Sequence, residues 1–317
     1  MPKEMDVVIP NCCGVDIHKE VAVCCVRKTL GEQVTSEVRS FSTMTGGLQE
    51  LKAWLIESGV THVAVESTGV YWKPLFNILE DSMTVVLANA RHVKHVPGRK
   101  TDVKDCEWLA KLLQCGLIKG SFIPPKLIRE LRDLTRYRRK IMGHLASEKN
   151  RVQKVLEDAN LKLSSVATDV FGVSGMAILK ALSEGETNGE ELAKLAMGRL
   201  KEKIPELEKA LTGHVSSHHL FMIKRSLEHI AYIQKSVGQV DREIDKKLKP
   251  YGEDYKRLQT IPGVKETGAA SIIAEIGTDM SVFPTVQHLT SWAGICPGNN
   301  ESAGKKKVGK QDPEMSG

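Results

Sequence analysis

The chain of 317 residues is poor in several things that would point to common functions. No apolar run approaches the roughly 18 residues a bilayer-spanning helix needs, and no membrane partner is expected. No secretory leader pattern opens the sequence. No Cys-x-x-Cys or mixed Cys/His spacing suits zinc. The seven cysteines are an odd count, and four form the adjacent pairs Cys12-Cys13 and Cys24-Cys25 within apolar, strand-like runs. Strand neighbours point to opposite faces, so these thiols read as small buried hydrophobes rather than a disulfide framework. A reducing, cytoplasmic location is the expectation. Aromatic residues make up only 5% of the chain.

Charge is present but unevenly placed. The formal net charge is +6, too small by itself to show nucleic-acid binding. Residues 91–158 hold 17 Lys and Arg against 8 Asp and Glu, a net of +9 that leaves −3 for the rest. A polyanionic partner is the reading of that concentration.

The first 125 residues alternate between two periods. Residues 12–16, 21–27 and 34–41 read as three short strands with tight connections. An amphipathic helix over 45–58 follows, with Leu48, Leu51, Trp54 and Leu55 on one face. A fourth strand over 61–66, a helix over 70–81 restricted at its start by Pro74, a fifth strand over 84–88 and a helix beginning near Asp102 complete the order βββ-α-β-α-β-α. That is an α/β unit with a mixed sheet flanked by helices.

Two of these strands end in an acid. Asp16 closes the first and Glu66 the fourth, and sites form where the chain leaves strand ends. Asp102 and Asp105, three apart, share one face of a helical first turn. Adjacent carboxylates repel unless a cation lies between them. Hard cations such as Mg²⁺ are held by a few carboxylates and substrate phosphate oxygens. Arg99, Lys100 and Lys104 flank the pair. Together Asp16, Glu66, Asp102 and Asp105 suit two cations and a phosphodiester; singly, each also reads as a helix or turn cap. Gly69 after Glu66 permits close backbone approach, and Tyr71 and Trp72 read as base-stacking or core aromatics.

The remainder reads as mostly helical. Residues 127–160 form a long helix with Leu127, Leu134, Ile141 and Val155 on one heptad position and Leu131, Leu145 and Val152 on the other. Arg138 and Glu148 interrupt this seam. Arg129, Arg132, Arg136, Arg138, Arg139 and Lys140 make its first half a candidate nucleic-acid face. Residues 161–212 carry no chemical signal. A second long helix over 215–248 repeats the heptad, so the two pair within a chain or between chains; a coiled-coil arm and dimer contact is the expectation. His214, His218 and His219, without a carboxylate or cysteine companion, read as surface residues. Leu258 to Val264 followed by a helix over 267–276 resembles a helix-hairpin-helix, whose turn at Gly263 offers backbone N–H groups to a phosphate. Ser302, Lys305 and Lys306 lie in a Gly-rich basic stretch that, from its residues alone, reads as a flexible loop.

These motifs taken together resemble one family. The segments are Gly14-Val15-Asp16-Ile17-His18-Lys19, Val65-Glu66-Ser67-Thr68-Gly69-Val70-Tyr71-Trp72, Lys100-Thr101-Asp102-Val103-Lys104-Asp105, the turn at Ile261 to Val264, and the loop from Gly294 through Ser302 to Lys305. Over nearly the whole chain the sequence resembles the DEDD insertion-sequence transposases of the IS110 family and its IS1111 group, to which pilin-gene DNA invertases are related. The resemblance implies an RNase H-like (RuvC-like) catalytic domain over 1–125, a coiled-coil region over 126–250, and a mainly α-helical C-terminal transposase domain over 251–317. It implies Asp16, Glu66, Asp102 and Asp105 as Mg²⁺ ligands and Ser302 as a nucleophile that joins covalently to DNA. It also implies a composite site shared between subunits of a dimer or tetramer, and guidance by a noncoding bridge RNA. After Lys310 the family usually continues into a Leu- and Arg-rich helix, whereas this chain reads Gln311 to Gly317, so a truncated copy is expected.

Three other readings compete. A plain RNase H-type nuclease or junction resolvase would use the four acids with water and tolerate loss of Ser302. An actin-like sugar kinase would explain Gly14-Val15-Asp16 after a strand, but a second Gly-rich phosphate loop is missing. A truncated nucleic-acid-binding remnant would bind without catalysis.

Overall fold

The computed structural model describes residues 7–31, 33–67, 69–89, 93 and 105–295, and the backbone of 300–302 and 305–307. The chain divides into two compact units, residues 1–123 and 124–317.

In the first unit, β1 (Asn11–Ile17) is apolar on both faces and lies mid-sheet. Strands buried on both sides read as continuous apolar runs, which is why the paired cysteines sit here and in β2 (Val21–Leu30). With β3 (Gln33–Ser42), β4 (His62–Glu66) and β5 (Thr84–Ala88), the sheet runs in the order β3-β2-β1-β4-β5. β1, β4 and β5 are parallel; β2 is antiparallel to both of its neighbours. This is the mixed, helix-flanked sheet that the strand order in the sequence predicts.

Two helices cover one face. α1 (Thr45–Glu57) buries Leu48, Leu51, Trp54 and Leu55, the four residues its periodicity picks out. α2 (Trp72–Leu79) adds Leu75 and Leu79. They pack on Cys13, Val15, Val63, Val65 and Leu87. The opposite face carries α3 (Asp105–Gln114), which buries Trp108, Leu109, Leu112 and Leu113 against Cys12, Ala64 and Ala88.

α3 lies on β1 at backbone distance. A Cβ added to Gly14 would stand 2.2 Å from the carbonyl oxygen of Cys106 and 2.3 Å from the amide nitrogen of Ala110. Glycine is therefore a condition of this crossing. The far end of α3 is tied down by Gln114. Its side chain accepts from Arg27 Nε at 3.0 Å and donates to Thr29 Oγ1 at 2.8 Å. Its carbonyl accepts from the amides of Val8 and Ile9.

The second unit is built on two long helices, α4 (Lys126–Asp158) and a later one, Ser217–Leu248. They pair with each other in this chain, antiparallel, and four side-chain contacts cross between them, two of them to histidine. Glu130 meets Lys247 at 2.6 Å and Arg138 meets Asp241 at 2.5 Å. Glu148 meets His229 at 3.5 Å and Asp158 meets His219 at 2.9 Å. Of the two pairings the heptads allow, within a chain or between chains, the structure shows the first.

Between the long helices, residues 161–212 fold into α5 (Leu163–Val166), α6 (Val173–Ser183), α7 (Gly189–Lys194), a 3₁₀ turn over Gly198–Lys203 and α8 (Ile204–Ala210). The second long helix is then α9. Leu163, Ile178, Leu179, Leu182, Leu192 and Leu207 from this group form one core with Val152 and Leu156 of α4 and Ile223 and Ile230 of α9. A segment without chemical signal is thus the cap of the helix pair.

Near the start of α4, a helical hairpin of α10 (Gly252–Gln259) and α11 (Glu266–Ile276) packs on Ile128, Leu131, Ile244 and Leu248 through Ala270, Ile273 and Ala274. Gly263 in the turn has φ +88°, a left-handed conformation that glycine adopts without strain. α12 (Val286–Trp292) follows.

Three sequence expectations change here. Leu127 is 49% exposed and Ile128 is buried, so the seam begins one residue later than the heptad predicts; α11 packs on the same face and pulls it round. His219 is half-buried with a carboxylate partner, Asp158, and its Nδ1 accepts from the Ser216 amide in a capping box. The stretch around Ser302 is a paired ribbon, not a loop: β6 (Asn300–Ser302) and β7 (Lys305–Lys307) are antiparallel, with Ser302 opposite Lys305.

Gly14→Ala is expected to destabilise the first unit by about 1–3 kcal/mol, the usual cost of overpacking, read as a lower urea midpoint by tryptophan fluorescence. Gly46→Ala, where nothing lies within 4 Å of the added Cβ, is expected not to lower it. Equal midpoints for Gly14→Ala and wild type would contradict the close seat of α3.

Candidate functional site

The sheet register brings two of the four acids together. Val15 is paired with Val65 in the parallel β1–β4 ladder, and the next position along sets Asp16 beside Glu66 at the carboxyl ends of both strands. Asp16 is opposite Val23, Val23 opposite Ser40, and Glu66 opposite Ala88. Directly paired residues share a face, so Ser40, Val23, Asp16, Glu66 and Ala88 form one row across the sheet. Residues two apart on a strand also share a face. Asp16 is therefore on the side of Gly14, which is the side α3 covers.

Asp105 opens α3, one residue before the carbonyl that rests on Gly14. Burial, and after it the charge of Glu107, pushes the Cys106 thiol up to about 11, and Asp16 is near enough to add to that rise. The start of α3 and the end of β1 thus converge. His18 Nε2 stands 3.3 Å from Asp16 Oδ2, with the imidazole largely in solvent. Asp102 lies outside the described residues, as do Arg99, Lys100 and Lys104. Among the described residues no group of three His, Cys, Asp or Glu side chains is close enough to hold a metal ion. In donor chemistry the pair does suit one: Asp16 and Glu66 carry carboxylate oxygens, the donors that hard cations such as Mg²⁺ take.

The aromatics after Glu66 divide. Trp72 packs into the core beneath the sheet and meets Phe76 edge-on at 5.8 Å. Tyr71 is 42% exposed, and Gly69 turns the chain between them and the acid with φ +60°.

The basic face of α4 also divides. Arg132 donates to the carbonyls of Ala274 and Glu275 at 3.1 and 2.6 Å, capping the C-terminus of α11. Arg136 makes a two-pronged ion pair with the Glu275 carboxylate, both bonds 2.9 Å, the strong geometry for this pair. Arg138 is held by Asp241. Arg139 and Lys140 are exposed. Gly263 sits in the hairpin turn, and Lys305 and Lys306 lie in β7 opposite Ser302 and Glu301.

Sequence reasoning missed the partners that hold these groups. Gln114, Glu148 and Glu275 are polar residues with no motif around them, and only the fold shows what they face. His219 had a usable signal: Ser216-x-x-His219 has the spacing of a capping box.

Burial disfavours the thiolate form of the thiols packed in the sheet. Burial pushes Cys12 and Cys25 up to about 12, and burial raises Cys13 as well. A thiol must ionise to act as nucleophile or metal ligand, so these cysteines are packing residues.

Comparison with known families gives two matches. Residues 13–161 match a DEDD-type IS110 family described as a transposase. Residues 255–314 match the transposase IS116/IS110/IS902 family. The two stretches cover about two thirds of the chain. None of the curated proteins is a significant match.

The thiols imply a stability profile in base. The unfolded chain loses these protons near 9.0, whereas the folded chain keeps Cys12 and Cys25 protonated to about 12 and Cys106 to about 11. Between those limits the folded state binds more protons, so stability is full below pH 9 and falls as pH rises. Urea midpoints taken at pH 8, 9, 10 and 11 are expected to decline after pH 9, less steeply in Cys25→Ala/Cys106→Ala. Identical slopes for variant and wild type would contradict the assignment.

Proposed function

Because this chain belongs to the IS110 family of transposases, acting on the DNA of an insertion sequence, we propose that it cuts and joins that DNA at a carboxylate site in the first unit and a serine in the second. The observation that supports this most is the register that sets Asp16 beside Glu66 on the face where α3 begins with Asp105. In this reading the first unit is RNase H-like, residues 126–250 are a coiled-coil arm, and residues 251–317 form the serine domain.

Asp16, Glu66 and Asp105, with Asp102, are the residues that would hold Mg²⁺. Such a cation activates an oxygen nucleophile and stabilises the leaving oxygen. The chain's own side chains do the rest. The seat of α3 on Gly14 fixes where Asp105 stands relative to Asp16. Tyr71 offers an exposed ring to an unstacked base. Arg139, Lys140 and the turn at Gly263 hold phosphates; α10, that turn and α11 serve as the helix-hairpin-helix. The Ser302 hydroxyl oxygen displaces one bridging oxygen of a DNA phosphodiester: the Ser302 O–P bond forms as the P–O bond to one strand end breaks, and that strand end leaves as a free hydroxyl carrying the proton the serine gives up; Lys305 and Lys306 are the nearby basic residues in sequence.

A bridge RNA that selects donor and target DNA is part of this reading. So is a homo-oligomer that brings the acids of one subunit to the serine of another. The seam between α4 and α9 is filled within the chain, so a contact between copies would use their outer faces. There Phe221 and Tyr232 are 59% and 70% exposed.

A second reading is a nuclease that uses water in place of Ser302. It draws on the placement of Asp16, Glu66 and Asp105 in a unit separate from the serine.

The test is recombination of a plasmid carrying the element's ends and flanking RNA, in Mg²⁺. If wild type recombines it, Asp16→Asn, Glu66→Gln, Asp102→Ala and Ser302→Ala are each expected to lose about a thousandfold or more; if wild type is silent, the chain is extended with a Leu- and Arg-rich helix and the test repeated. Cutting that persists in Ser302→Ala would favour the nuclease; binding without cutting or joining in wild type would leave a nucleic-acid binder.

A further inference from the structure

The second unit holds a cleft of about 400 Å³ among α4, α9, α10 and α11. Its size falls in the range of small-ligand pockets, roughly 300–1,000 Å³. Two separate sequence features meet in its walls: Arg139 comes from the basic start of α4, and Tyr255, Glu266 and Thr267 come from the helical hairpin around Gly263.

The lining has four kinds of surface. Leu248 and Ala270 supply an apolar floor that is continuous with the core. Tyr255 supplies a half-buried ring. Asp245 and Glu266 supply two carboxylates near the Tyr255 hydroxyl: burial first, and then these two charges, push that hydroxyl's pKa up. Arg139 supplies an exposed cation that makes no ion pair among the described residues, whereas Arg138 next to it is neutralised by Asp241.

Each simpler ligand leaves part of this lining unmatched. A free anion would be repelled by Asp245 and Glu266. A small cation would leave Arg139 opposed and the floor and ring unused. A flat, apolar-faced ring that carries an amino group and is attached to a phosphate matches all four. The ring stacks on Tyr255 and the floor, the amine donates to the carboxylates as cytosine N4 does to acidic side chains, and the phosphate meets Arg139.

We propose that this cleft takes a single unstacked nucleobase with an exocyclic amine, cytosine above all, from the nucleic acid that the chain engages. The proposal rests on the reading of the chain as a nucleic-acid enzyme and adds to it a base-capture site distant in sequence from Asp16, Glu66 and Ser302.

The test uses the full chain and 12-mer oligonucleotides of cytosine or thymine, in deoxy and ribo forms. Affinity is measured by anisotropy, and a single 5-iodocytosine serves for photo-crosslinking. Cytosine oligomers are expected to bind more tightly than thymine or uracil oligomers, and the crosslink is expected to map to the 252–259 helix at Tyr255. Thr267→Phe, which fills the cleft from its exposed mouth, is expected to weaken cytosine binding roughly tenfold. The deoxy and ribo arms tell whether the base comes from DNA or RNA. Binding with crosslinks elsewhere and an unchanged Thr267→Phe would overturn the cleft while leaving the transposase reading intact. No binding to any oligomer would also overturn the cleft, while the transposase reading stands or falls by the plasmid recombination alone. The crosslink is read on wild type, so a Thr267→Phe variant that fails to fold leaves the test decisive.

Discussion

The contact on which the first unit depends is the seating of a helix backbone on Gly14. The 2.2 Å and 2.3 Å that a Cβ would find there leave no room for any side chain, so the crossing of α3 over β1 is fixed to one point. From that point the proposed site follows by counting. Two residues along β1 is Asp16, on the same face. One rung across the parallel ladder is Glu66. One residue before the touching carbonyl is Asp105. The three acids come from three elements, and their relation is set by strand register and a single close approach rather than by any loop. A one-residue slip in either strand would send its acid to the opposite face.

The second unit shows how charge can be structural. The excess of Lys and Arg in α4 invites a nucleic-acid reading of the whole run. In the fold, Arg132 and Arg136 clamp the end of α11, and Arg138 braces α9 through Asp241. Arg139 and Lys140 are the members of the run left at the surface. The clamp also places the hairpin of α10 and α11 beside that remaining positive charge. The same arginines that are withdrawn from solvent thus position the cleft at which Arg139 is presented.

Much of this was legible in the residues. Alternating and continuous apolar runs marked all five strands of the sheet; β1 and β2 carry continuous runs because they are buried, whereas β3, at the sheet edge and largely exposed, was marked by alternation alone. Leu48, Leu51, Trp54 and Leu55 marked the buried face of α1. The place of Asp16 and Glu66 at the ends of two strands was legible, and the register shows those strands to be neighbours. What was not legible was set by distant packing. Ile128 replaces Leu127 in the seam because α11 arrives from more than 130 residues away in sequence. Asp158 finds His219 only because the helices run antiparallel within the chain. Short local spacing carries no record of such partners. Asp102 lies outside the described residues, and its place in the proposed set rests on the resemblance of its motif.

The most direct test of the central claim is cation binding at the paired strand ends, measured without DNA. Mn²⁺ is titrated into wild type, Glu66→Gln and a control, Glu228→Gln on exposed α9, with bound ion read by electron paramagnetic resonance and folding checked by circular dichroism. The register predicts that wild type and the control bind alike and that folded Glu66→Gln binds at least about tenfold more weakly. Equal Mn²⁺ binding by wild type and folded Glu66→Gln would contradict it.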